Sequence, residues 1–205
     1  MARQTYAGPV RWVIVDDGAE QQPITFKRES WTLEVIRPKP FWSAGQNTQA
    51  RNLLAGLEVI DSAERLVVIE DDDWYAADWL AHVDARLATD MLIGEKRARY
   101  YSLSKRMGRE LGNQFHSSLC STAMTGKAID AFRKVCKEAN KFIDMQLWRS
   151  HQPRLLFDGH RVVGIKGLTG RGGIGVGHTK EFQGTADSSG RILREWVGDD
   201  ATAYL

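Results

Sequence analysis

Four consecutive acids, Glu70-Asp71-Asp72-Asp73, follow directly on the apolar run Leu66-Val67-Val68-Ile69. Adjacent carboxylates repel one another and stay ionised together only when positive charge sits among them. Hard divalent cations, Mg2+ or Mn2+, are the usual partners of such oxygen donors. A run of Leu and β-branched residues bounded by charge predicts a buried, parallel strand. An open α/β sheet places its ligands at the carboxyl ends of its strands. That placement favours a metal site over a solvated acidic loop or a helix N-terminus that welcomes negative charge.

Other stretches carry chemistry of their own. Arg11-Trp12-Val13-Ile14-Val15 predicts a short strand that also ends in acids, Asp16-Asp17-Gly18; by residue type alone this is a turn. Arg51, near a predicted helix start, is able to pair with an anion and is by residue type a solvated helix Arg. Lys166 and Arg171 lie in a Gly-rich segment, 166–177, which is either a lid that closes over a ligand or a surface loop, the lid being favoured. It is not a Walker A element, since no G-x-x-x-x-G-K-[ST] pattern is present. His116, Ser117, Ser118 and Ser121 lack a G-x-S-x-G elbow and its ordered partners, so they read as pocket-lining residues and not as a triad. Lys96, Arg97, Arg99, Lys105, Arg106 and Arg109 are interleaved with Tyr100 and Tyr101. Such a mixture suits a phosphate backbone with stacked bases, but a charge run is more often a solvated face.

The elements that must position these residues follow from pattern and punctuation. Strands are predicted at 31–36, 90–94, 99–103, 117–124 and 161–166, and helices at 47–60, 76–88, 126–139 and 143–149. The apolar residues Ala50, Leu53, Leu54, Leu57 and Ile60 recur at helical spacing, as do Ile129, Phe132, Val135 and Cys136. Strands alternating with helices predict an α/β fold with a mostly parallel sheet flanked by helices. With 205 residues, 42% apolar and 26% charged, the expectation is one domain with a sizeable core. A net charge of +2 neither requires nor excludes a nucleic-acid partner. Two cysteines, Cys120 and Cys136, without a CxxC pair predict a reduced chain with no disulfide framework. With no transmembrane-length apolar run and no signal-peptide pattern, a cytoplasmic protein without membrane contact is expected.

In order along the chain, Val13-Ile14-Val15-Asp16-Asp17-Gly18, Gly45-Gln46-Asn47-Thr48-Gln49-Ala50-Arg51-Asn52 and Val68-Ile69-Glu70-Asp71-Asp72-Asp73 resemble three elements of one family. These are the strand-DDG, G-x-x-x-x-A-R-N and strand-D-x-D-D elements of the family 2 nucleotide-sugar glycosyltransferases, whose fold is called GT-A. Phage-encoded members, some of which modify hydroxymethylated DNA bases, are similar in the tail K-G-x-x-G-R-x-G-I-G-x-G-H. Two departures stand out. Glu70 occupies a position where the family usually has Asp, and the family's usual first strand has no counterpart ahead of the strand that ends at Val15.

The resemblance implies a single GT-A-like domain over 1–205, with a nucleotide-binding half (1–89), an acceptor half (90–180) and a C-terminal tail (181–205). It implies that Asp72 contacts Mn2+ or Mg2+, helped by Glu70 and Asp73, and that His178 closes the metal site. Asp16 and Asp17 would bind the nucleotide's base or ribose, Asp71 would reach the ribose, and Arg51, Lys166 and Arg171 would hold the diphosphate. Asp144 looks like the carboxylate that deprotonates the acceptor in inverting members; by residue type alone it is a helix N-cap. The expected activity is metal-dependent transfer of a sugar from a nucleotide diphosphate donor to a hydroxyl acceptor, with a hydroxymethylated DNA base as one acceptor. Two alternatives are a nucleotidyltransferase, which also gathers carboxylates around metal-bound phosphates, and a degenerate non-catalytic nucleic-acid-binding protein.

Overall fold

The computed structural model describes residues 1–18, 20, 22–40, 48–139, 141–168 and 182–205. In chain order the elements are β1 (Val10–Val15), β2 (Trp31–Ile36), α1 (Gln49–Leu57), β3 (Arg65–Val67), β4 (Trp74–Tyr75) and α2 (Trp79–Arg86). Next come β5 (Leu92–Glu95), β6 (Arg99–Ser102), β7 (Met107–Glu110), a 3-10 turn (Leu119–Ser121), β8 (Thr122–Thr125), α3 (Lys127–Glu138) and α4 (Ile143–Ser150). The chain finishes with β9 (Leu155–Phe157), β10 (Val162–Lys166), β11 (Thr185–Ala186), α5 (Arg191–Val197) and a second 3-10 turn (Gly198–Ala203).

These strands form a two-stranded pair β1-β2, a four-stranded sheet β3-β8-β5-β9 and a five-stranded sheet β11-β7-β6-β10-β4. The α/β class is as expected, but the mostly parallel sheet is not. Parallel pairing joins β1 to β2, β6 to β10 and β5 to β9, while the other five pairings are antiparallel. β3, expected to be parallel to its neighbour, runs antiparallel to β8. The reason is the return of the chain through the Ser117–Thr125 region: the 3-10 turn feeds β8 between β3 and β5, against both. The segment 117–124, expected as one strand, is therefore a turn followed by a shorter strand.

The four-stranded sheet is covered on both faces, and strict alternation sorts its side chains. Leu66, Val68, Leu92, Met124 and Leu156 pack on one face with α1, α3 and α4. Val67, Ile69, Ile93, Ala123, Leu155 and Phe157 pack on the other with Trp79, Leu80 and Val83 of α2. Each such side chain, fully buried, contributes about 1.5–3 kcal/mol of transfer free energy. Layer contact is close at Gly94 in β5, where an added Cβ would stand 2.4 Å from Ser117 Cβ and 2.8 Å from the Trp148 ring. Only glycine lets α4 come this near the sheet, and α4 carries Asp144. A third cluster joins β6 and β10 to α5 through Tyr101, Val163, Ile165, Leu193 and Val197. Among the described residues no helix is long and apolar enough to cross a membrane.

Candidate metal centre

The acidic loop is a reversal between two short strands. β3 ends at Val67, Val68 still donates to the Thr122 carbonyl at 3.3 Å, and the chain then turns. The Asp73 N–H donates to the Glu70 carbonyl at 3.3 Å, closing a four-residue turn. Tyr75, returning in β4, uses its hydroxyl to accept the Glu70 N–H at 2.8 Å. This reversal gathers one oxygen from each of Glu70, Asp72 and Asp73 within 4.8 Å of one another. The Gln49 side-chain amide, at the start of α1, donates to Glu70 Oε1 at 3.2 Å.

β10 brings the counter-charge. The Lys166 ammonium stands 3.2 Å from Asp73 Oδ1 and 3.5 Å from Asp72 Oδ2. The Ile165 N–H donates to the same Asp73 oxygen at 2.9 Å. Solvent reaches 8% of the Lys166 side chain and none of the Asp73 side chain. Lys166 ends β10, as the predicted strand 161–166 has it, and that strand is buried along its whole length; the lid expected from 166–177 lies outside the described residues beyond Leu168. Its ammonium also lies 5.6 Å from the centre of the Tyr100 ring.

Crowding and burial set the protonation states. Loss of water, followed by the charge of Asp73, pushes the Glu70 carboxyl up to about 8, with Asp72 and Asp144 adding to it and Lys166 opposing. Burial pushes Asp73 up to about 6, against the pull of Lys166. Burial alone would lower Lys166, but Asp73, Glu70 and Asp72 outweigh it and hold the ammonium charged. The buried Cys120 thiol, beside Asp73, is pushed well above its ordinary value by burial and by the Asp73 and Glu70 charges, and so stays protonated.

The donor set fits a hard divalent cation. Three carboxylates converge, and Asp73 Oδ2 is buried with no hydrogen-bond partner among the described residues. Such an oxygen is costly to leave unpaired and is an available ligand. A cavity of 360 Å³ opens on the same loop, lined by Glu70, Asp71 and Asp73 and walled by Trp12, Trp74, Tyr75 and Tyr204. That volume lies within the usual range of small-molecule sites, about 300–1,000 Å³. The two ends of the chain meet at its rim: Asp200 accepts from Trp74 Nε1 at 2.7 Å and pairs with Arg3. A larger cavity of 450 Å³ between β7 and α5 shares no residue with the acidic loop, so the smaller one belongs to the site.

The other expected site residues divide into groups. Asp144 lies in the first turn of α4, not at its cap, which is Phe142. It accepts the Met145 N–H at 2.8 Å and is near enough to the acidic loop for its charge to raise Glu70. Asp16, at the end of β1, pairs with Arg37 at 3.2 Å, and Asp17 accepts from the Asn52 amide at 2.7 Å. Arg51 donates to the Lys39 carbonyl at 2.5 Å. None of Asp16, Asp17 and Arg51 lines the cavity. Arg171 and His178 lie outside the described residues.

Of the two readings of the basic-aromatic stretch, the aromatic residues do not favour the stacking face. Tyr101 is fully buried, and the Tyr100 hydroxyl donates inward to Ser118 Oγ at 2.8 Å. Arg97 and Arg99 are both drawn to Glu110, at 2.6 and 3.4 Å. Among the described residues the strongly exposed aromatics are Phe115 (79%) and Phe142 (67%), the latter two residues before Asp144. Residue pattern alone did not mark Tyr75 or the cavity walls, and marked Tyr100 only as part of the basic-aromatic stretch, because each acts through contacts distant in sequence.

No protein-family model matches this chain, and no curated protein is similar enough in sequence to count as a relative.

Proposed function

We propose that the protein is a metal-dependent glycosyltransferase that moves a sugar from a nucleoside diphosphate donor to a hydroxyl acceptor. The observation that carries this reading is the convergence of Glu70, Asp72 and Asp73 beside an aromatic-walled cavity, with Asp73 Oδ2 left unpaired. The ordered resemblance of three motifs to GT-A enzymes supports it. The acids would hold Mn2+ or Mg2+, which when bound supplies Lewis-acid neutralisation of the diphosphate. Trp12, Trp74 and Tyr204 offer apolar walls for the donor's flat base.

Asp144 is the acceptor-side base of this reading. The acceptor oxygen bonds to the anomeric carbon as that carbon's bond to the diphosphate oxygen breaks. The electron pair leaves with the diphosphate, and the hydroxyl proton passes to the Asp144 carboxylate. Attack from the face opposite the leaving group inverts the anomeric centre.

The test is release of nucleoside diphosphate from a panel of nucleotide sugars with Mn2+, in the presence of sugar, small-molecule or hydroxymethylated DNA acceptors. Asp72→Ala is expected to lower that release at least about tenfold, the effect of losing one charged ligand. Unchanged release in Asp72→Ala removes the metal role of the loop. Pyrophosphate as the product would instead make the protein a nucleotidyltransferase. A folded chain that binds nucleic acid but no nucleotide with Mn2+ would make it a non-catalytic binder.

A further inference from the structure

Resting on the reading of Glu70, Asp72 and Asp73 as a metal centre, we infer that Lys166 is a built-in cation of that centre. It holds down the free site's affinity for a divalent ion and makes that affinity depend on an arriving diphosphate. The ligand class is thus a diphosphate that enters together with its metal, and Lys166 is the residue that couples the two.

Three features carry this. First, Lys166 shares its anions with the metal: its ammonium contacts Asp72 and Asp73, two of the three carboxylates that converge. An ion held by those oxygens lies close to a fixed positive charge, and like charges at such separation repel strongly in a partly dry site.

Second, the ammonium cannot swing away. Its side chain is 8% exposed and lies over the Tyr100 ring. That ring is fixed in turn by the Ser118 hydroxyl at 2.8 Å and by Gly164, where an added Cβ would stand 2.4 Å from it.

Third, Asp73 does not depend on the lysine for its position. The Ile165 N–H holds the same oxygen from the backbone. Removing the ammonium therefore removes a charge more than it disorganises a ligand.

A diphosphate changes this balance because its negative charge is attracted by both cations at once. Metal and diphosphate then bind with positive coupling, which by linkage is felt equally by each. A site built only from carboxylates would bind the metal tightly alone and repel the diphosphate without it.

The experiment uses the full chain and two probes, Mn2+ alone and inorganic pyrophosphate with free Mn2+ held constant. Mn2+ binding is read by electron paramagnetic resonance and pyrophosphate binding by equilibrium dialysis. Lys166→Met is expected to tighten Mn2+ by about tenfold and to weaken pyrophosphate by about tenfold, the effect of one unit charge a few ångströms away. Lys166→Arg should leave Mn2+ binding within about twofold of the parent, since the charge is retained.

Opposite signs in one variant are the diagnostic result, because a lysine that merely props up the fold would weaken both ligands. Mn2+ affinity that falls or stays unchanged in Lys166→Met overturns the inference while leaving the metal centre standing. No Mn2+ binding in either parent or variant overturns both. Should Lys166→Met fail to fold, Asp73→Asn and Asp73→Asn/Lys166→Met are compared, so that the Asp73 charge, whose side chain no solvent reaches, is not left without its cation. The same opposite shifts are expected between those two, and their absence overturns the inference.

Discussion

Replacing Asp144 by Asn is expected to lower sugar transfer by about 10²- to 10⁴-fold, the usual contribution of one positioned general base. The loss should fall mainly on kcat, because Asp144 neither lines the cavity nor supplies one of the converging oxygens. The fold should survive, since the side chain is partly exposed and its local bond is to the adjacent Met145 N–H. Asn keeps that acceptor and the shape while losing the proton affinity. Steady-state rates of parent and variant, with the anomeric configuration of the product, check this. A product that retains configuration, or a loss below about threefold, removes Asp144 as the direct base.

Affinity for Mn2+ is expected to rise about a hundredfold between pH 6 and pH 8, because metal binding must displace the protons held at the centre. Glu70, pushed up to about 8, is mostly protonated at pH 6 and half ionised at pH 8. Asp73, pushed up to about 6, adds a smaller part at the lower end. The same shifts act on stability in the opposite sense. Both carboxyls titrate higher in the fold than in the unfolded chain, so the native state holds the extra protons across this range. Their contribution is fully present below about pH 4 and is lost as pH rises through about 6 and then about 8. The metal-free protein should therefore melt lower at pH 8 than at pH 5, and Mn2+ should reverse the trend. Glu70→Gln should flatten both dependences. Thermal melts at several pH values, with Mn2+ and with a chelator, decide it.

Much of the secondary structure was legible because its signals are local. The spacing of Ile129, Phe132, Val135 and Cys136 marks α3, found at Lys127–Glu138. The acidic loop was legible for the same reason: four adjacent acids after an apolar run cannot be buried without a partner. Strand direction was not. β3 meets β8 some 55 residues later in the chain, and nothing in Leu66-Val67-Val68 says which way that partner runs.

Side-chain direction failed wherever both faces of a strand are covered. In β10 all five residues are buried, so alternation could not say that Lys166 points to the acids and not to a mobile loop. β6 was ambiguous in the same way: Tyr100 and Tyr101, beside basic residues, fitted a stacking face or a solvated one, whereas β6 is an interior strand with Tyr101 buried and Tyr100 half-buried. The partner of the four acids was thus in plain view as a lysine, yet its distance from them is a tertiary fact.

The β1-β2 pair shares no backbone ladder with either larger sheet among the described residues. It is tied on by side chains, Arg11 to Glu64 at 2.8 Å and Asn52 to Asp17 at 2.7 Å, and by the packing of Val10, Phe26 and Trp31 against α2. Such a unit can open locally at lower free energy than the global transition, while the four-stranded sheet stays closed. Its amides should exchange with deuterium well before those of β5 and β8. Asp16 and Asp17 thus sit on a pair of strands that is expected to open before the acidic loop does, so that they can shift while the oxygens around Lys166 keep their places.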